Sequence, residues 1–185
     1  MNKPGICKSV FFILLSIFAL LLILAPFSQP PDTINDMSGA VGRIDNSNTT
    51  SNMSFQWNWI YAFGDWWCHQ KSSRSFFINE NQMPVCARCI GIFFGLPLGI
   101  LGALFIRMSI ADENFYKKLL LILAIGFIPT AIDGGGQLIG LWESTNAGRV
   151  ITGMLTGFAG GALFAVLIDA LNLIAPALKN GARIK

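Results

Sequence analysis

Apolar residues along this chain fall into four long runs separated by polar stretches. The first covers residues 10–27 and the second 90–106. The third begins at Leu119, meets Pro129 and Asp133, and extends past Leu138 to Leu141; the fourth covers 150 to about 174. A bilayer core of about 30 Å is crossed by about 20 apolar residues in a helix. The runs are continuous and not alternating, so they predict helices and not barrel strands. The expected fold is an all-α membrane protein of four transmembrane helices. Residues 29–54 are rich in Pro, Asn, Ser and Thr and read as a flexible extracytoplasmic linker. Residues 55–67 crowd together Trp57, Trp59, Tyr61, Trp66 and Trp67. Rings with a polar edge settle at the headgroup level, so this stretch predicts an interfacial aromatic segment on the outer side. The expected organisation is an N-terminal signal-anchor helix over 1–28, the linker over 29–54, and a membrane domain over 55–185 with three further spans. A cleaved signal peptide is the alternative for the first span, and Leu24-Ala25-Pro26 is a poor cleavage site.

Composition supports this picture. Of 185 residues, 53% are hydrophobic and only 12% charged, which excludes an ordinary soluble domain. The net charge of +3 is carried beside the apolar runs and not in a basic stripe, so no nucleic-acid partner is expected. Lys3 and Lys8 precede the first span. Arg107, Lys117 and Lys118 separate the second from the third, and Lys179, Arg183 and Lys185 follow the fourth. By the positive-inside rule these regions are cytoplasmic, giving a multi-pass cell-membrane protein with both termini in the cytoplasm. Residues 43–88 and 143–149 then face outward, which carries Cys68, His69, Arg74, Cys86, Arg88, Cys89, Asp133, Gln137, Asn146 and Arg149 to one side. Membrane lipids are the expected partners, and no pattern fixes an oligomeric state.

Gly91, Gly95 and Gly99 recur at four-residue spacing in the second span, as do Gly153, Gly157 and Gly161 in the fourth. Small residues at this period let two backbones approach where lipid supplies no hydrophobic drive. The second and fourth spans are therefore expected to touch, bringing Cys86, Arg88 and Cys89 toward Asn146 and Arg149.

The cysteines allow three readings. In the first, Cys68, His69, Cys86 and Cys89 hold zinc, a soft tetrahedral set with the two-residue chelate gap between Cys86 and Cys89. Neighbours such as Cys68 and His69 rarely both reach one ion, and Asp133 is the alternative fourth ligand. In the second, Cys86 and Cys89 form a redox dithiol at a helix start, with Pro84 in the first turn and Cys68 as an exchanging thiol. Disulfide-forming membrane oxidases normally carry a second cysteine pair, and here the remaining cysteine is Cys7, on the opposite side. In the third, the thiols are inert or form a plain disulfide in a non-catalytic structural or assembly subunit.

Asp133 is followed by Gly134-Gly135-Gly136 and Gln137. A carboxylate within an apolar run is costly and is a functional candidate by default, and the glycines are expected to break the helix. Ser144, Thr145 or Asn146 is the expected N-cap of the fourth span. Arg149 lies about one turn inside that helix, near its positive end, where a cation calls for an anionic partner. Asp133 is the protein candidate, and a phosphate or carboxylate ligand the foreign one. The expected catalytic group is Asp133, Arg149, Arg88 and Gln137, with Arg74, Asn146 and Gln70 binding an anionic or lipid small-molecule substrate.

Cys68-His69-Gln70, Arg74-Ser75-Phe76, and Pro84-Val85-Cys86-Ala87-Arg88-Cys89-Ile90-Gly91 with Gly95 together resemble the signature of an uncharacterised prokaryotic membrane family, domain of unknown function 2085. The segments at Asp133-Gly134 and from Asn146 to Arg149 resemble its later motifs. The resemblance covers roughly residues 66–161. It implies a polytopic membrane protein and no particular activity.

Overall fold

A computed structural model of the protein describes residues 3–105 and 113–181. Ile106, Arg107, Arg183 and Lys185, used above to bound and orient the spans, lie outside the described residues. Helix α1 spans Lys3–Leu24 and runs into one 3-10 turn, Ala25–Ser28. A short helix α2 (Ser47–Thr50) and the aromatic helix α3 (Phe55–Trp67) follow. Strands β1 (Phe77–Ile78) and β2 (Asn81–Gln82) pair antiparallel, with Phe77 opposite Gln82. Helices α4 (Ala87–Phe105), α5 (Phe115–Leu138) and α6 (Asn146–Gly181) complete the chain. Among the described residues, four helical segments are long and apolar enough to cross a membrane: Gly5–Ser28, Ala87–Phe105, Phe115–Leu138 and Asn146–Asn172.

The α4–α6 pair is the centre of the bundle. A Cβ on Gly91, Gly95 or Gly99 would strike the α6 backbone at Val150, Met154 or Phe158. One on Gly153, Gly157 or Gly161 would strike the α4 backbone at Arg88, Ile92 or Leu96. The partners advance together along both helices, so α4 and α6 run parallel. Backbones this close gain dispersion contacts that a lipid-facing helix cannot obtain from hydrophobic burial.

Helix α5 packs on the opposite side of α6, where a Cβ on Gly126 would meet that of Ala159. The Thr130 hydroxyl donates to the Thr152 carbonyl at 2.7 Å, and the Thr156 hydroxyl to the Gly126 carbonyl at 2.9 Å. Helix α1 packs on α4 through Phe18 and Phe93, whose rings lie 5.3 Å apart edge to face. It meets α6 through Phe11 and Phe164 and through a Lys8–Asp169 ion pair of 2.6 Å at the end remote from the cysteines.

Residues 29–54, expected to be a linker, are anchored at Ile34 and Met37, which are fully buried. The physical reason lies far along the chain. The Asn81 side-chain oxygen accepts from the amides of Thr33 and Ile34, both at 2.9 Å, and its amide donates to the carbonyl of Pro30 at 2.9 Å. Gln82 accepts from the Met37 amide at 3.2 Å, and buried Asp65 from the Asn46 amide at 2.7 Å. Irregular backbone can be buried when side-chain amides and carboxylates replace the missing ladder partners. The third span also stops earlier than expected, at Leu138. Gly140 adopts φ +75° and the Leu141 amide returns to the Gly136 carbonyl at 2.9 Å, a glycine-dependent helix stop.

The packing gives a direct test. Gly157→Ala drives a Cβ into the α4 backbone, whereas Gly160→Ala places one in ordinary contact, 3.5 Å from the Leu96 side chain. Gly157→Ala is expected to cost about 1–3 kcal/mol through overpacking, and Gly160→Ala to be neutral or slightly stabilising. Unfolding of the detergent-solubilised protein measures both, and equal effects would contradict the parallel seam.

Candidate functional site

The cysteines come together through a clasp between two loops. After α3, Cys68 turns into extended backbone while its amide still bonds the Gly64 carbonyl at 2.9 Å. Gln70, at φ +41°, reverses the chain and donates its side-chain amide to the Pro84 carbonyl. Gln82 returns a bond to the Gln70 carbonyl. These bonds press residues 68–70 against the lead-in to α4. Cys86 sits just ahead of α4, its carbonyl accepting from the Ile90 amide at 3.0 Å and its own amide facing the Cys68 sulfur at 3.4 Å. Cys89 follows one turn later on the same face, its sulfur 3.7 Å from that of Cys86. All three sulfurs lie within 4.8 Å of one another.

Sulfurs this close share protons. The Cys86 thiol is held far below its ordinary range because its thiolate accepts from the thiol of Cys68 and then from that of Cys89. Cys68 is pushed up to about 11, chiefly by its bond to Cys86. Burial draws the His69 imidazole down, so it is neutral near pH 7, and its Nδ1 is buried with no hydrogen-bond partner. The start of α4 adds its positive helix end to the preference for thiolate.

Three arginines meet this cluster around a cavity of about 160 Å³. The sulfurs, His69, Arg74, Arg88 and Arg149 line it, and Val41, Trp67 and Ile92 supply its apolar wall. Arg88, between Cys86 and Cys89, pairs with Asp133. Ser144 donates to the other oxygen of Asp133, and the Gln137 amide reaches both Asp133, at 3.1 Å, and Ser144, at 2.8 Å. The Gln137 oxygen accepts from Arg149 Nε at 3.4 Å and Nη2 at 3.2 Å, and the Asn146 oxygen from Arg149 Nη1 at 2.8 Å.

The structure thus divides the expected residues into layers. Cys68, Cys86 and Cys89 form the sulfur set, and His69 lines the same cavity without belonging to that set. Arg74, Arg88 and Arg149 reach the cavity, whereas Asp133, Gln137 and Asn146 stand behind the arginines and hold them. Gln70, expected to bind substrate, is fully buried, serves the clasp and is not among the residues that line the cavity.

Three local expectations are corrected. Asp133 pairs with Arg88 and not with Arg149, which is left with two neutral amide oxygens. The glycines after Asp133 do not break α5, which continues to Leu138. The missing side chain of Gly136 makes room for the Trp142 ring. Pro84 lies ahead of α4 and not in its first turn.

Of the three cap candidates, Thr145 accepts from the Gly148 amide at 3.2 Å, which frees Ser144 and Asn146 for the network. Ser144 belongs to this network, although its place before α6 marks it in sequence only as a cap candidate. Trp67 has the sequence signature of a membrane anchor, and Gln82 that of a polar loop residue.

Asp133→Asn is expected to cost about 2–3 kcal/mol, because Arg88 keeps its charge in a part-buried position and loses its counter-charge. Adding Arg88→Gln removes that charge and is expected to recover part of the loss. A double-mutant cycle read by thermal unfolding checks this, and strictly additive losses would exclude the coupling.

A family model described as "Predicted membrane protein (DUF2085)" matches residues 68–163. An uncharacterized protein of Methanocaldococcus jannaschii is 46% identical over 99 residues, covering 54% of this chain and 62% of that protein. An uncharacterized protein of Methanothermobacter thermautotrophicus is 38% identical over 100 residues, covering 54% of this chain and 86% of that protein. The chain therefore spans less than two thirds of the first relative's length and most of the second's. No solved structure matches significantly.

Proposed function

The chain belongs to this DUF2085 family of predicted membrane proteins, and we propose that it carries a zinc centre held by Cys68, Cys86 and Cys89 at the extracytoplasmic mouth of its helix bundle. The supporting observation is the spacing of the donors. A tetrahedral zinc with bonds of about 2.3 Å to sulfur separates its ligands by about 3.8 Å, and the Cys86 and Cys89 sulfurs stand 3.7 Å apart. The third sulfur lies within 4.8 Å of both, so a small inward movement of Cys68 closes a three-thiolate set.

Because the three cysteines line the arginine-lined cavity, a metal they held would be reached from it. Thiolate ligands, a fourth position open to solvent or substrate, and guanidinium groups beside it suit metal-assisted hydrolysis or transfer on an anionic substrate, such as a lipid headgroup. In that reading zinc supplies a Lewis-acid centre. Arg74, Arg88 and Arg149 orient the anion, and Asp133, Gln137 and Asn146 act as positioning residues through the arginines they hold. His69, with its unpartnered Nδ1, is available as the fourth ligand or as a proton acceptor at the cavity wall.

Thiol–disulfide exchange is the second reading, favoured by the adjacency of the Cys86 and Cys89 sulfurs and the depressed Cys86 thiol. A disulfide requires the sulfurs to close to about 2.05 Å and leaves Cys68 as an odd partner. The two readings separate on one purified sample. The metal reading expects close to one zinc per chain, its loss in Cys86→Ser, and three thiols that resist alkylation until a chelator is added. A reducible Cys86–Cys89 bond in protein devoid of zinc would replace this reading with the redox one.

A further inference from the structure

Arg149 is the most unusual charge in the molecule. It is only 5% exposed, it sits in the first turn of α6 at the positive end of that helix, and α4 points its own positive end at the same cavity. Burying a cation there is costly unless an anion balances it. Among the described residues, the only carboxylate in ion-pair contact with a cavity arginine is Asp133, and it is committed to Arg88. Arg74, half-buried on the same cavity wall, likewise has no carboxylate within ion-pair distance among the described residues.

The hydrogen-bond inventory of Arg149 is incomplete in a particular way. A guanidinium carries five N–H donors. Nε and one donor of Nη2 go to the Gln137 oxygen, and one donor of Nη1 goes to the Asn146 oxygen. That leaves one N–H on each terminal nitrogen, a charged donor available to an oxyanion acceptor. The neutral amides of Gln137 and Asn146 fix the plane of the guanidinium without cancelling its charge. A latch built only for stability would place a carboxylate there.

The charge count agrees. Three thiolates with one divalent metal carry a net charge of −1, and Arg74 with Arg149 carries +2, since Arg88 is balanced by Asp133. The cavity is left at +1 with zinc in place. An oxyanion of one or more negative charges completes it.

We infer that Arg149 and Arg74 form a binding site for a phosphate-type oxyanion in the cavity that the three sulfurs also line. This deepens the zinc reading and depends on it only for the group to which the anion is presented. The same chemistry serves free phosphate and the phosphate of a lipid headgroup, because the cavity of about 160 Å³ admits either a small ion or the terminal phosphate of a larger molecule.

The test uses the full chain in phosphatidylcholine nanodiscs, with zinc content measured on the same samples. One arm titrates inorganic phosphate, and the other replaces part of the phosphatidylcholine with phosphatidic acid; thermal unfolding reads both. Phosphate-dependent stabilisation is expected, with the half-maximal concentration raised roughly tenfold or more in Arg74→Met and Arg149→Lys, as the loss of a charge-assisted bond implies. Arg43→Gln, at an exposed position, is expected to bind like the parent. Arg149→Lys keeps the charge but also gives up the bonds to Gln137 and Asn146, so parent-like unfolding of both variants without phosphate is the check against a folding artefact. Stabilisation by phosphatidic acid alone, lost in the same two variants, supports the site with a lipid as the source. Zinc-replete protein that responds to neither additive, or responses unchanged in both variants, overturn the inference and leave the metal reading standing. Zinc-free protein that still shows arginine-dependent stabilisation supports the anion site and removes the metal.

Discussion

The parallel contact of α4 with α6 is the constraint on which the rest of the structure depends. Two helices joined by one intervening span must run in the same direction, and glycine at every fourth position lets their backbones touch along their length. Parallel packing puts both N-termini at one end. The aligned peptide dipoles of two helices then raise the local potential where Cys86 and Cys89 begin one helix and Arg149 begins the other. Thiolates gain from that field and a buried cation loses. The seam that builds the bundle therefore also creates the electrostatic demand that the polar end must answer.

The polar end answers it with bonds that cross long stretches of sequence. Asn81 and Gln82, on a two-residue strand, tie down residues 33–37, and Gln70 ties the Cys68 loop to Pro84. Asp65, within the aromatic helix, holds Asn46. None of these groups touches the cavity, yet together they fix the loop that carries Cys68 against the helix that carries Cys86. The sulfur spacing is a product of this scaffold, and a centre that depends on fixed donor distances needs one of this kind.

Much of this was legible in the sequence because it follows from one-dimensional patterns. Apolar runs gave the spans, the glycine period gave the α4–α6 contact, and the spacing of Cys86 and Cys89 gave two sulfurs on one helical face. What escaped depends on partners distant in sequence. Composition made residues 29–54 look like a linker, because the amides that satisfy their backbone sit at positions 81 and 82. The glycines after Asp133 look like helix breakers, whereas α5 continues through them and Gly136 clears space for Trp142. Charge alone suggested an Asp133–Arg149 pair, and only the arrangement of α4, α5 and α6 gives Asp133 to Arg88.

The direction of the network bears on whether this end of the protein is a latch or a site. Asp133, Ser144, Gln137 and Asn146 are connected, and the ends of their connections are arginines that line a cavity. A latch gains by closing every donor on a protein acceptor, since each unfilled one carries a desolvation cost. Here the acceptors are spent on orienting the guanidinium groups. His69, on the same wall, leaves its buried Nδ1 without a partner as well. Unfilled capacity on both the cationic and the imidazole side of one cavity, opposite three clustered sulfurs, is the arrangement expected where bonding is completed by a guest and not by the protein itself.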